Sequence, residues 1–288
     1  MSGRLVVCAT PIGNLGDVTL RVLDALREAD TIAAEDTRVT RKMLARYEIS
    51  TRMERCDEHT VERQAPAIVE RIAGGEVIAL VSDAGTPGVS DPGSRLVDAC
   101  LEAGVSVEVL PGPSAILTAL VASGLPTSAF YFGGFLPRKA GERRRAIELL
   151  SRLDATLIFY ESPHRSAATL EALAEVLPGR DAVVARELTK MFEEIVRAPI
   201  EELAEQIAAR EKIKGEVVLL VGPPRAGERA LASDDQVRAS VDARIARGES
   251  RSVAVREVAK ELDVPRSRVY DLAHRTSRGQ EASGPTAS

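Results

Sequence analysis

Residues Ser82 to Gly93 read SDAGTPGVSDPG: three Gly, two Pro and two Asp in a dozen positions, directly after the apolar run Val77 to Val81. A plain turn needs about four residues, so this composition suits backbone that must approach a ligand closely, where glycine keeps side chains out of the way. Two more loops share the character, ATPIGNLGD beginning at Ala9 and LPGPSA beginning at Leu110. Each follows or closes a short apolar run. In open α/β sheets ligands bind beyond the carboxyl ends of strands, so the three loops are expected to converge on one crevice. A different pattern, FYFGGFLPRKAGERRRA from Phe130 to Ala146, packs four aromatics and the cations Arg138, Lys139, Arg143, Arg144 and Arg145 into seventeen residues. Rings beside phosphate-binding cations suit a splayed single-stranded nucleotide. Phe130 and Phe132 also fit core strand positions, and the cations also fit a solvated helix start.

Several chemistries lack their sequence signatures. No GxGxxG opens the first strand-helix unit and no GxxxxGK[ST] occurs, so neither a dinucleotide nor a P-loop triphosphate is indicated. His59, His164 and His274 are far apart and show no metal-ligand spacing, and no GxSxG elbow is present. Cys8, Cys56 and Cys100 are odd in number and mostly set in apolar runs, which reads as buried thiols. A small ligand held largely by backbone remains, with no metal expected.

The elements that must position these loops are short. Arg4 to Ala9, Thr31 to Ala34, Val77 to Val81 and Val105 to Leu110 are rich in Val, Ile and Leu without polar alternation, the pattern of strands buried on both faces. TLRVLDALREAD and SRLVDACLEAG place their apolar residues on one helical face. Strand, helix, strand at this rhythm predicts a mostly parallel α/β sheet. The rhythm restarts near Ser128, with strands at Phe130 to Phe132, Thr156 to Tyr160, Ala182 to Ala185 and Val217 to Val221, and helices in AATLEALAEVL and IEELAEQIAAR. The expected organisation is an α/β domain over 1–127, a second over 128–223, a linker at 224–233, a helical unit over 234–276 and a disordered tail at 277–288. VREVAKELDVPRSRVYDLAHR has the layout of a helix-turn-helix. Between Arg238 and Arg278, ten Arg and Lys stand against six Asp and Glu, a local excess in a chain whose formal charge is -5.

At 288 residues, with 44% apolar and 28% charged residues, the chain has the composition of a folded, water-soluble protein of two domains plus an appendage. Net negative charge argues against coating nucleic acid by bulk charge. With only a short apolar run before Pro11 and no stretch of membrane-spanning length, the expected location is the cytoplasm.

Taken together, ATPIGNLGDVTLRVLDAL, AEDTR, SDAGTPGVSDPG, PGPSA, FYESPHR, ARELTKMFEE and GEVVLLVG resemble the tetrapyrrole methylase superfamily, and more narrowly its branch of 2'-O-methyltransferases acting on a cytidine of 16S rRNA in the small ribosomal subunit. The resemblance spans about residues 4 to 222, and the helical tail is similar to that branch's C-terminal extension. It implies S-adenosylmethionine as cofactor, two α/β domains with the cofactor in the cleft between them, and a homodimer. Carried over by position, it implies cofactor contacts at Thr10 and Pro11, at Asp83, Ala84, Gly85, Thr86 and Val89, at Ser114 and Ala115, and at Tyr160, Leu188 and Glu216. Thr86 precedes Pro87 where many family members have Asp-Pro; either Asp83 or Asp91 can stand in for that acid.

Methyl transfer to a ribose hydroxyl needs alignment of two reactants and removal of a reluctant proton. A carboxylate can accept that proton, or a cation can stabilise the developing alkoxide. The candidates are Glu35, Asp36 and Arg38, then Glu161 and Arg165, then Glu187 and Lys190, all following predicted strands. Each also fits a strand-end ion pair or helix cap, and His164 fits a helix N-terminal residue. A small-molecule methyltransferase would account for the loops alone, and a DNA-binding metabolite sensor for the tail alone.

Overall fold

The structure, a computed structural model, describes residues 3–225, 234–262 and 264–275. Contacts divide the chain into Met1–Pro223 and Pro224–Ser288. Within the larger unit, β1 (Arg4–Cys8), α1 (Leu20–Glu28), β2 (Thr31–Ala34), α2 (Thr37–Arg46), β3 (Met53–Arg55), α3 (Val61–Ala73), β4 (Val77–Val81), α4 (Gly93–Glu102), β5 (Ser106–Leu110) and α5 (Ala115–Ser123) come first. Their strands form a sheet in the order β3-β2-β4-β1-β5, with every pairing parallel. The expected parallel sheet is therefore present, but its edges depart from the expectation: β3 is not among the expected strands, and β5, expected to be buried on both faces, is a half-exposed edge with Val109 57% exposed. Its two faces carry separate apolar layers, one with Val6, Leu26 and Ile32, the other with Leu5, Ile72 and Ile78.

The second half of this unit runs β6 (Phe130–Phe135), α6 (Ala140–Leu150), β7 (Thr156–Glu161), α7 (Ser166–Val176), β8 (Asp181–Arg186), β9 (Glu194–Pro199), α8 (Ile200–Ala208) and β10 (Val217–Val221). Here the order is β6-β7-β10-β8-β9, and only β6 and β7 pair in parallel. The parallel rhythm read from the sequence does not carry over to this sheet. Strand β9, EIVRAP, lacks an uninterrupted apolar run because it is a half-exposed edge. It follows β8 through a loop too short for a helical crossover, which forces the chain to reverse. Phe159 is fully buried among Leu157, Leu170 and Leu219 on one face. On the other, Ile158, Val183 and Val218 meet Ala119 and Leu120 of α5, which ties the two sheets together. Arg197 fastens the same junction by donating to the carbonyl oxygen of Ser123 at 2.9 Å.

Cys8, Cys56 and Cys100 are buried free thiols, as expected. Burial pushes Cys8 up to about 12 and Cys56 up to about 11, with smaller contributions from neighbouring carboxylates. Both therefore stay protonated and unreactive near neutral pH.

The unit Pro224–Ser288 contains α9 (Asp234–Ala246), α10 (Arg251–Glu261) and α11 (Arg266–Arg275). Val237, Val241, Val255, Val258, Val269 and Leu272 form its own core, and α10 and α11 are joined by a short turn at Val264 and Pro265. Most of the expected linker, 226–233, and the expected tail, 277–288, lie outside the described residues.

Because Phe159 fills the middle of the second sheet's core, Phe159→Ala should lower unfolding free energy by about 3–5 kcal/mol. Urea unfolding followed by circular dichroism measures this directly.

Candidate functional site

The loops after β1, β4 and β5 do converge. Thr10 and Gly85 exchange two backbone hydrogen bonds, Thr10 N–H to Gly85 O at 2.8 Å and Gly85 N–H to Thr10 O at 3.0 Å. Gly85 has φ +81°, a left-handed conformation that disfavours any side chain. The Thr10 hydroxyl adds a bond to the Ser82 carbonyl at 3.1 Å. Asp91 folds the far half of the loop on itself, its Oδ1 accepting from Gly88 N at 2.8 Å and Gly93 N at 2.7 Å.

These loops and the ends of β7 and β10 enclose a mainly apolar cavity of about 460 Å³. Among the positions suggested for a cofactor, Asp83, Ala84, Gly85, Thr86, Val89, Ser114, Ala115, Tyr160, Leu188 and Glu216 line it. Thr10 and Pro11 do not; both are buried, and Thr10 joins the loops through its bonds to Ser82 and Gly85. The wall also includes Ile12, Ser82, Phe135 and Gly215, none of which sequence reasoning assigned to it. Phe135 was legible only as one of a cluster of rings. It packs on Tyr160 at 5.7 Å between ring centroids, and Phe132 does so edge-on at 4.9 Å.

The charged candidates separate by environment. Glu35 lines the cavity, and its carboxylate accepts from Asp83 N at 3.2 Å. Burial raises its pKa against the partial offset of that bond, helped by the charges of Asp83, Asp91 and Asp36. Asp83 is raised in turn by burial, while its Oδ1 accepts from Asp36 N at 3.0 Å. Asp36 behaves oppositely. It caps α2 by accepting from Arg38 N at 2.8 Å and pairs with the exposed Arg38 guanidinium at 2.6 Å, which holds its carboxyl well below the usual range.

Glu161 is buried at the end of β7 and lines the cavity. Its oxygens accept from Thr169 Oγ1 and its neighbour Ser162 N, both at 2.7 Å, and Arg165 lies at 3.2 Å. Arg165 also donates to the Leu136 carbonyl at 2.7 Å, which anchors the start of the basic segment beside the cavity. His164 is exposed in the turn before α7.

Glu187 has φ +53° and accepts from Lys190 Nζ at 2.8 Å and from Glu216 N at 3.0 Å; the Lys190 bond leads in lowering its pKa. Lys190 also reaches Glu216 at 3.1 Å, and although burial pulls its pKa down, the bonds to Glu187 and Glu216 leave it raised. Glycine suits position 215 because its φ is +88°, and a Cβ there would also lie 2.1 Å from Glu187 Oε1 and displace that side chain.

In the basic segment, Arg138, Lys139, Arg144 and Arg145 are exposed and Arg143 is half-buried. Lys139 pairs with Glu142 at 3.0 Å and Arg144 with Glu148 at 2.9 Å, which neutralises part of the run.

The family of tetrapyrrole (corrin/porphyrin) methylases matches residues 4–204. A protein of Mesorhizobium japonicum named ribosomal RNA small subunit methyltransferase I is 44% identical over 276 residues, covering 96% of this chain and 94% of that protein. A Vibrio cholerae protein of the same name is 49% identical over 80% of this chain and 81% of its own. Among solved structures, uroporphyrin-III C-methyl transferase from Thermus thermophilus in complex with S-adenyl homocysteine shares the fold, with TM-score 0.55, 20% identity and coverage of 76% of this chain and 97% of that one.

Arg165 supports both a buried carboxylate and the chain beside the cavity. Arg165→Ala should cost about 3 kcal/mol or more, because it leaves Glu161 buried without its cation. Chemical denaturation of the purified variant gives the value; a loss below about 1 kcal/mol would mean that the pair behaves as an exposed one.

Proposed function

Because this chain belongs to the tetrapyrrole (corrin/porphyrin) methylase family, we propose that it uses S-adenosylmethionine to methylate the 2'-hydroxyl of a cytidine in 16S rRNA of the small ribosomal subunit. The observation that carries this reading is similarity over nearly the whole length, C-terminal helices included, to a protein named for small-subunit ribosomal RNA methylation. No helix among the described residues is long and apolar enough to cross a membrane. We place the reaction in the cytoplasm, where ribosomal subunits are assembled.

The cavity fits the cofactor chemically. Its volume is that of a small-molecule site, and its walls are mainly apolar with a few polar groups. The peptide N–H groups of Ala84 and Thr86 have no acceptor among the described residues, and the Ser114 hydroxyl caps α5 while keeping its own proton free to donate. Ala84, Thr86 and Ser114 would hold the polar ends, and Ile12, Val89 and Leu188 the apolar body. When bound, the cofactor supplies a methyl group on a sulfonium that leaves as a neutral thioether.

The chain's own task is then to orient the ribose and take its proton. Glu35 suits the second role best, since it faces the cavity and burial raises its pKa toward the working range of a base. Asp36 is held in an ion pair, Glu161 serves Thr169 and Arg165, and Glu187 serves Lys190. We assign the acceptor's phosphates to the segment from Arg138 to Arg145, through Arg138, Arg143 and Arg145 and the partly neutralised Lys139 and Arg144. We also infer a division at residue 127, with the first sheet's loops holding most of the cofactor and the second half completing the cleft through Tyr160, Leu188 and Glu216 while meeting the RNA. The exposed Leu117 and Val121, one turn apart on α5, are consistent with a homodimer.

The purified protein, given S-adenosylmethionine and small subunits lacking the modification, should add one methyl to a cytidine ribose, located by nucleoside mass spectrometry after digestion. A methyl on a base, or on a tetrapyrrole offered in place of RNA, would sink the assignment. Glu35→Gln should lower kcat by roughly 10²- to 10⁴-fold with cofactor affinity retained. The working form of Glu35 is the deprotonated one and its pKa is raised, so wild-type kcat/KM should fall as pH drops through a value above the ordinary glutamate range. That limb should vanish in the variant.

A further inference from the structure

The chain from Glu187 to Glu193 joins β8 to β9 and carries Met191, 90% exposed, and Phe192, 70% exposed, at its tip. Large apolar side chains in water normally belong to segments free to fold them away. This loop is pinned. Thr189 N–H donates to Glu193 Oε2 at 2.6 Å, Glu193 N–H to Lys190 O at 3.1 Å and Lys190 N–H to Glu187 O at 3.0 Å. Glu187 and Thr189 both hold left-handed backbone, φ +53° and +65°, which costs energy for residues with side chains. The strained, bonded loop thus displays two apolar side chains on a fixed base, and that base includes Leu188 of the cavity wall.

A second loop lies against it. One guanidinium, Arg186, donates to the Phe192 carbonyl at 3.4 Å and to the Lys214 carbonyl at 3.1 Å, so the two chains approach within the span of a single side chain. Lys214 leads directly into Gly215 and Glu216 at the cavity. Lys212 and Lys214 are exposed and neither is engaged by a carboxylate among the described residues. They differ in this from Lys139 and Arg144. Of the acids around them, Glu193 is occupied by Thr189 N–H, Glu216 by Lys190, and Glu194 by Arg186 and Arg210, while the exposed Glu211 next to Lys212 forms no ion pair with either lysine among the described residues.

An exposed aromatic ring on a bonded, strained backbone beside lysines without a carboxylate partner among the described residues, at the edge of a cavity, suits an unpaired base with its phosphates. We propose that Phe192, flanked by Met191, is a stacking platform for a base of the RNA strand next to the methylated nucleotide, with Lys212 and Lys214 holding the adjoining phosphates. The proposal rests on the rRNA reading above and adds to it a contact separate from the Arg138 to Arg145 segment.

The sequence contains no tryptophan, so Phe192→Trp makes a single-tryptophan reporter. Its emission should be quenched when a single-stranded RNA spanning the target is added. Phe192→Ala should weaken binding of that RNA at least about tenfold with S-adenosylmethionine affinity unchanged. Lys212→Ala with Lys214→Ala should reduce the slope of log affinity against log salt by about 1.4, two phosphates' worth for a single strand. Wild-type RNA affinity in Phe192→Ala, or unchanged tryptophan emission, overturns the platform even while the wild-type protein methylates RNA. Failure of the wild type to methylate any RNA overturns instead the reading on which the proposal rests. Light scattering separates the remaining case: if Phe192→Ala changes the oligomeric state and leaves RNA affinity intact, the ring belongs to an interface between copies and the proposal fails.

Discussion

Two backbone hydrogen bonds between Thr10 and Gly85 join the loops after β1 and β4 into one surface, and the cavity is built on that surface. They require Gly85 in a left-handed conformation, φ +81°, and they use both of its peptide groups. The bridge therefore determines which neighbouring peptides remain free. With Gly85, Gly88 and Val89 bonded inside the protein, the N–H groups of Ala84 and Thr86 on either side of the bridge have no acceptor among the described residues. Glycine here matters less for making room, since a Cβ would meet Ile12 only at 3.6 Å, than for permitting the backbone angle.

Charge is distributed unevenly around that surface. Glu35 and Asp83 are cross-linked through each other's neighbourhood, Asp83 N–H bonding Glu35 and Asp36 N–H bonding Asp83, and burial keeps both carboxyls easier to protonate than usual. Lys190, beside the cavity residues Leu188 and Glu216 but not lining the cavity itself, is paired with both Glu187 and Glu216. In the proposed reaction this favours a carboxylate over an amine for the proton.

The reversal of chain direction in the second sheet has a functional consequence. Because β9 returns beside β8 without a crossover helix, the loop between them remains at the carboxyl end of β8. There it meets the loop after β1, with Asn14 N–H donating to Thr189 Oγ1 at 3.1 Å and Gly13 so close to Leu188 O and Lys190 Cγ that a Cβ would clash. Both sheets thus contribute to one wall through a contact that the strand direction makes possible.

The amino-acid sequence by itself determined four strands of the first sheet, though not the three-residue edge strand β3, together with the three convergent loops, the buried thiols and the turn-linked helices of the tail. Each depends on local composition: continuous Val, Ile and Leu runs for strands buried on both faces, and Gly and Pro where backbone must bend. It also carried the resemblance that places Ser114, Tyr160 and Leu188 near one ligand. Strand β9 was not legible, because a half-exposed edge strand such as EIVRAP has neither an apolar run nor a clean alternation. Nor could sequence rank Glu35, Asp36, Glu161 and Glu187, four carboxylates that all follow strands. Only the tertiary structure separates them, since availability depends on burial and on partners such as Arg38, Arg165, Thr169 and Lys190 that folding brings within hydrogen-bond reach.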